Sequence, residues 1–344
     1  MRDTRRRRWR WPARRRPRDR ARRRRERADH PRRSCRFHRN PRERREPMTS
    51  ELFTTEPLDL GELDSLPTLP VVALQIGEVV HSKTASVQQV ADLLRSDPAT
   101  SAKLLRLVNS PYFGIPGGVS DVARAIPFVG FHTLYQLVLS ISVLDTLRIG
   151  AGGHDPRALW THSLTTATAA RELAEEIRFS DPGGCFTAGL LHDMGEIALA
   201  KLAPDKVAAA FETMRTEGVG IGVAERLNGL APHDRVGSRL ARRWKFPASL
   251  ATPIELHHAI HRIEVRERMS AHLRTITEIV AAADHLSLAC QASASALQPF
   301  GEDGELDATE LFARNGLSLS QRDALCDRTR LRLERSRVFL SLVL

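Results

Sequence analysis

Six side chains between residues 162 and 284 of this 344-residue chain could do metal chemistry: His162, His192, Asp193, His233, His257 and Asp284, with His258 beside His257. Imidazoles and carboxylates are the donors that hold Zn, Fe, Mn or Ni. The pair His192–Asp193 stands between Gly189 and Gly195 in an apolar helical stretch, where two adjacent polar residues have no packing reason to be. The other donors fall roughly one per helix on the helical spacing of the apolar residues. That layout suggests a helical domain whose centre is a polar pocket for a divalent cation. Blander readings stay open beside it. A buried His–Asp pair can satisfy itself by hydrogen bonding, and His162 alone could be a core histidine. His233, next to Asp234, could cap its helix. His257, His258 and His261 lie near a helix end, where the dipole favours imidazolium. Asp284 is harder to dismiss, because Ile279, Val280, Ala281 and Ala282 before it are apolar; its carboxylate is expected to face the pocket. Arg239, Arg242, Arg243 and Lys245 read as a solvated basic face or as a phosphate-binding one.

The elements that must position these groups are helical from Leu66 onward. Val71 to Ser82 starts the first helix. Ser86 can cap the second, and Asp97-Pro98 is a strong start signal for the third. Asn109-Ser110-Pro111 stops that helix before a Gly- and Pro-rich turn, and two more helices run from about Ser120 to Val129 and His132 to Leu147. A Gly-rich break at 149–156 separates this lead-in from a long helix carrying His162, which Asp181-Pro182-Gly183-Gly184 is expected to end. Single helices then carry His192–Asp193, His233, the His257–His258 pair and Asp284. The expected division is 1–47 leader, 63–148 helical lead-in, 156–292 core and 305–344 C-terminal helices.

The net charge of +11 hides an asymmetry. Residues 1–47 hold 23 Arg, no Lys and six acids, a charge of +17, which leaves −6 for the remainder. That leader has too few aliphatic residues to offset chain entropy and is expected to be disordered. It could be an arm for nucleic acid or acidic membrane, or a targeting segment, although no apolar region follows its basic run. It could also be translated sequence upstream of a true start at Met48, which the absence of Lys beside so many Arg favours. Four cysteines without Cys-x-x-Cys spacing suggest free thiols in a reducing cytoplasm. No apolar run reaches the roughly 18 residues that a membrane span needs; Leu134 to Leu144 contains Gln136, Ser140 and Ser142 and reads as a buried helix.

Several stretches together resemble the HDOD domain, the HD-related output domain of bacterial signalling proteins, within the HD superfamily of metal-dependent phosphohydrolases. They are Leu66 to Pro70, Asp97 to Gly114 with its Asn109-Ser110-Pro111 element, Ala125 to Gly130, Leu159 to Ser163 and Ala188 to Gly195. The resemblance covers about residues 63–290. It implies an all-α fold and a role in signal transduction, with a signalling protein or a small nucleotide as partner and a cytoplasmic location. It also implies ligand roles: one metal held by His162, His192, Asp193 and Asp284, and a second by a bridging Asp193 with His233 and His257 or His258. Two departures stand out. HD enzymes carry Lys three residues after the Asp, where this chain has Glu196, and no Gly-Tyr-Pro follows the His257–His258 pair. A carboxylate beside an anionic phosphoryl group is repulsive. The expectation is therefore an output module acting through protein or ligand binding, with a divalent metal. The alternative is a phosphohydrolase acting on a nucleotide or cyclic nucleotide, in which Asp193 would be central to catalysis.

Overall fold

The computed structural model describes residues 60–80, 82, 84–148, 156–290 and 308–342. The Arg-rich leader lies outside the described residues. Among these, every regular element is helical and none is a strand, as the apolar spacing requires.

The lead-in consists of α1 (Val71–Val80), α2 (Val87–Arg95), α3 (Pro98–Val108), α4 (Val122–Val129) and α5 (Phe131–Thr146), after a 3-10 turn at Leu60–Ser65. Its start signals act as the residue types demand. Ser86 accepts the backbone N–H of Gln89 while the Gln89 side chain accepts that of Ser86, a reciprocal cap. Asp97 accepts the Thr100 N–H at 3.0 Å, and Pro98 follows at the first helical position. Asn109 closes α3 and bridges the turn after it, with Oδ1 accepting Val119 N–H at 2.6 Å and Nδ2 donating to Val119 O at 2.7 Å. Leu134 to Leu144 is buried throughout, so Gln136, Ser140 and Ser142 sit in the interior rather than on a membrane face. No single described helix is long and apolar enough to cross a membrane; α4 and α5 reach that length only as a pair bent by 116°.

The core follows: α6 (Pro156–Glu176), α7 (Pro182–Leu191), α8 (Met194–Leu202), α9 (Pro204–Glu217), α10 (Ile221–Leu227), α11 (His233–Arg243), α12 (Ala248–Leu256), α13 (Ile263–Glu267) and α14 (Ala271–Cys290), then α15 (Ala308–Arg314) and α16 (Leu319–Ser336). Helix α6 is the axis, with α7, α14 and α16 packed on it. Helix α7 also packs on α5, α12 and α14 and so ties the lead-in to the core. Helix α8 packs on α11, and α11 on α12, while α9 and α10 pair beside α8. The basic run on α11 is used structurally: Arg243 donates to Leu63 O at 2.6 Å and Asp64 O at 3.3 Å, and Arg242 to Glu255 at 2.8 Å.

Three local expectations are corrected. Asp181-Pro182-Gly183-Gly184 does not end α6 but starts α7, because Asp181 accepts the Gly184 N–H at 2.8 Å and Pro182 takes the first helical position. The His192–Asp193 pair does not lie inside one helix. It forms the junction where α7 stops at Leu191 and α8 begins at Met194. Successive residues of a continuous helix point about 100° apart, and the break lets both side chains face one cavity. Between the helix that ends at Glu217 and the one that begins at His233, the sequence pattern also omits α10. That element has seven residues, too few for its periodicity to stand out.

Candidate metal centre

Five elements deliver the donors. Helix α6 carries His162, the α7–α8 junction His192 and Asp193, α11 begins at His233, His257 follows the last residue of α12 with His258 next, and α14 carries Asp284. Close packing sets their spacing. At Gly195 a Cβ would stand 1.9 Å from His233 O, so only glycine lets α8 and α11 approach closely enough to bring Asp193 and His233 to one pocket. All seven residues named from the sequence come together. Asp193 divides its oxygens between two groups: Oδ2 lies 3.2 Å from His162 Nε2 and 3.1 Å from His192 Nε2, whereas Oδ1 lies 3.4 Å from His257 Nε2 and 3.6 Å from His233 Nε2. Asp284 Oδ1 joins the first group, 3.0 Å from His162 Nε2 and 3.6 Å from His192 Nε2. His258 joins the second, its Nε2 3.0 Å from that of His233. Ligand atoms about 2.1 Å from one ion stand about 3.0–3.4 Å apart in octahedral or tetrahedral arrangements, close to the 3.0–3.6 Å observed.

The far nitrogens fix the tautomers. His192 Nδ1 donates to Gly189 O at 2.8 Å and His257 Nδ1 to Pro253 O at 2.9 Å. Ser287 commits its hydroxyl proton to Asp284 O at 2.7 Å, so its oxygen accepts from His162 Nδ1 at 3.1 Å. Glu225 accepts from His233 Nδ1 at 3.0 and 3.1 Å and also from the His233 backbone N–H at 3.0 Å. With Nδ1 as donor, each neutral ring turns its Nε2 lone pair into the pocket, as a ligating histidine must. His192 Nε2, His257 Nε2 and Asp193 Oδ1 are buried and have no hydrogen-bond partner. Orphaned buried donor atoms on one convergent cluster are costly unless a cation serves them. The residues therefore fit a divalent metal, in the groups His162–His192–Asp193 and Asp193–His233–His257–His258.

The electrostatics agree. Burial pushes the His162 and His192 pKa values down, yet Asp193 and Asp284 hold them up, at about 10 and about 9. His233 is also raised, burial being outweighed by Glu225. Burial raises both aspartates, but the surrounding imidazoles hold Asp193 and Asp284 well below the usual carboxylate range. The pocket thus demands positive charge, which protons supply in the metal-free protein. His258 departs from the helix-end reading: burial and the neighbouring His257 and His233 hold it well below 6.5, so it stays neutral rather than imidazolium. His261 stays outside the cluster, with its Nδ1 against His258 O at 2.9 Å.

Above the donors lies a cavity of about 50 Å³, walled by Phe211 and Met214 of α9, Ile221 of α10, Leu288 of α14 and Glu196 of α8. Glu196 is buried with an unpartnered Oε1. Burial, then the charge of Asp193, raises its carboxyl to about 8. Glu225 and Ser287 are the site residues that sequence reasoning missed. Glu225 sits in Ala-Glu-Arg, which reads as a surface stretch; the only available signal was its place eight residues before His233.

A helical domain gathered around a shared His/Asp pocket is the architecture of the HD class. The chain belongs to the HDOD family, whose domain model matches residues 66–260. It is 26% identical over 200 residues to an uncharacterized protein of Treponema pallidum (strain Nichols), a match covering 57% of this chain and 38% of that relative. The chain thus spans well under two thirds of that relative's length. Among solved structures it resembles an HDOD domain protein of unknown function from Geobacter sulfurreducens, with 25% identity, a TM-score of 0.62 and coverage of 80% of this chain and 96% of that one. A candidate phosphohydrolase from Shewanella amazonensis SB2B shares the fold at 23% identity and a TM-score of 0.62, over 83% and 97% of the two chains. A candidate signal transduction protein from Marinobacter aquaeolei VT8 shares it at 19% and 0.63, over 84% and 62%.

Proposed function

We propose that this protein is a metal-binding output module of signal transduction that acts by binding a protein or small ligand rather than by hydrolysis. The observation that carries this reading is the wall of the cavity. A phosphoryl group arriving at the donors would meet Glu196, Phe211, Met214, Ile221 and Leu288, with no Lys or Arg among the described lining residues. Phosphoryl transfer depends on positive groups placed where charge develops, and Glu196 supplies none in either protonation state. The space of about 50 Å³ admits an ion and a few waters beside the donors. His162, His192, Asp193 and Asp284 would hold one divalent cation, and Asp193, His233, His257 and His258 a second. The test is purification without oxygen, metal analysis, and assay with Mn²⁺, Fe²⁺ and Ni²⁺ against a nucleotide and cyclic-nucleotide panel. Bound metal without turnover is expected.

One observation favours the second reading, a metal-dependent phosphohydrolase. Asp193 presents a separate oxygen to each ligand group, the bridging arrangement that paired-metal hydrolysis uses. A bound pair of ions would lower the pKa of a water and clamp phosphoryl oxygens. Turnover that disappears in Asp193→Ala would replace the first reading with this one.

A further inference from the structure

The four cysteines show no motif spacing, yet two of them meet in space. Cys290 ends α14 and Cys326 lies within α16, and across 36 residues of sequence their sulfurs stand 2.7 Å apart. That is well inside ordinary sulfur contact and only a fraction of an ångström beyond a bond of about 2.05 Å. Independent contacts hold the two helices in this register. Arg330 of α16 donates to Cys290 O at 3.1 Å and to Ala289 O at 3.1 Å, closing the carboxyl end of α14. On either side of Arg330, Arg328 binds Glu172 at 3.1 Å and Glu176 at 2.6 Å, and Arg332 binds Glu175 at 2.9 Å, so α16 is also tied to α6.

We propose that Cys290 and Cys326 are a site of reversible oxidative modification, joined as a disulfide by hydrogen peroxide. Cys290 is half-buried and Cys326 buried, so Cys290 meets the oxidant first. Its sulfur attacks one peroxide oxygen, the O–O bond breaks, and a sulfenic acid forms as the first water leaves. The Cys326 sulfur then attacks that sulfur and the S–O bond breaks. The departing oxygen takes the remaining thiol proton and leaves as the second water. The sulfurs lose two electrons and the peroxide gains two. Burial, followed by the neighbouring Cys326, raises the Cys290 thiol above its ordinary range, so the reaction is slow at neutral pH and quickens as pH rises. The product ties the last long helix to α14, which carries Asp284 and Ser287.

The test uses the full chain, reduced, treated with hydrogen peroxide and digested without reductant. The expected results are a peptide linking Cys290 to Cys326, a Cys185 that alkylates only after unfolding, and a melting temperature raised by about 5–10 °C that dithiothreitol reverses. Cys290→Ser and Cys326→Ser should each lose the link and the rise. Absence of the linked peptide in the oxidised wild-type chain would overturn the proposal. So would a linked protein that melts no higher than the reduced one, or a serine variant that keeps the rise.

Discussion

The two donor groups that share Asp193 are built differently. The first, around His162 and His192, has a second carboxylate in Asp284, and both of its rings donate Nδ1 to neighbours within the helical core, Ser287 and Gly189 O. The second has three imidazoles and only the shared carboxylate. Its orientation depends on Glu225, which grips both ring and backbone of His233, and on Pro253 O, which accepts from His257 Nδ1, while His258 is partly buried and contacts His233 through Nε2. The first group is therefore the more carboxylate-rich position, and the second an imidazole-rich one held by Glu225 at His233 and by Pro253 O at His257. Carboxylate-rich sites favour hard ions, and imidazole-rich ones favour Zn, Fe or Ni.

The strongest way to break this contrast is to remove what the groups share. Asp193→Ala is expected to weaken metal binding at both positions by more than about 100-fold, beyond the range of losses from outer partners. Metal content measured after gel filtration checks it; retention of one full equivalent would show that the groups do not depend on one carboxylate. Glu225→Ala should act on one side alone. About 10- to 100-fold weaker binding at the second position is expected, with the first unchanged, and a two-site calorimetric titration separates them.

A pH series sharpens the contrast through the protons that stand in for metal. His162 and His192 have folded pKa values of about 10 and about 9, above the ordinary 6.5. A raised pKa stabilises the metal-free fold fully below pH 6.5, and that contribution is lost as pH climbs toward 10. Asp193 and Asp284 act in the opposite sense: their contribution is present above the ordinary 3.8 and is lost as pH falls through their lowered values. The metal-free melting temperature should therefore decline between about pH 6.5 and 10, while the metal-loaded protein gains relative to it over that interval, because ligating rings must be neutral. Parallel curves for the two forms would count against metal at these imidazoles. The smallest effect is expected from His258→Ala, less than about tenfold in affinity at the second position, since no described acceptor fixes its Nδ1.

The convergent side chains were legible in the sequence as candidate donors because their residue types are out of place. Asp284 follows an apolar run, and His192–Asp193 interrupts another. The all-helical fold and the caps at Ser86 and Asp97 were legible because each rests on local periodicity or a local hydrogen bond. What could not be read depends on contacts distant in sequence. The break between α7 and α8 falls at His192–Asp193 with apolar residues on both sides, so helical periodicity does not mark it. Asp181-Pro182 admits either a stop or a start until the cap at Gly184 is seen. Glu225 looks like a surface residue until His233 is brought against it, and the neutrality of His258 follows from its neighbours rather than from its place at a helix end.

The division of Asp193 between two positions would make the binding of two cations there antagonistic. A cation on Oδ2 draws charge from the carboxylate that Oδ1 must offer, and two cations a few ångströms apart repel each other at low dielectric. The second ion should then bind more weakly than the first, giving a long concentration range over which the protein holds a single ion. With metal bound in that order, such a pocket would distinguish scarcity, sufficiency and surplus of the ion, as a three-level gauge rather than an on–off contact.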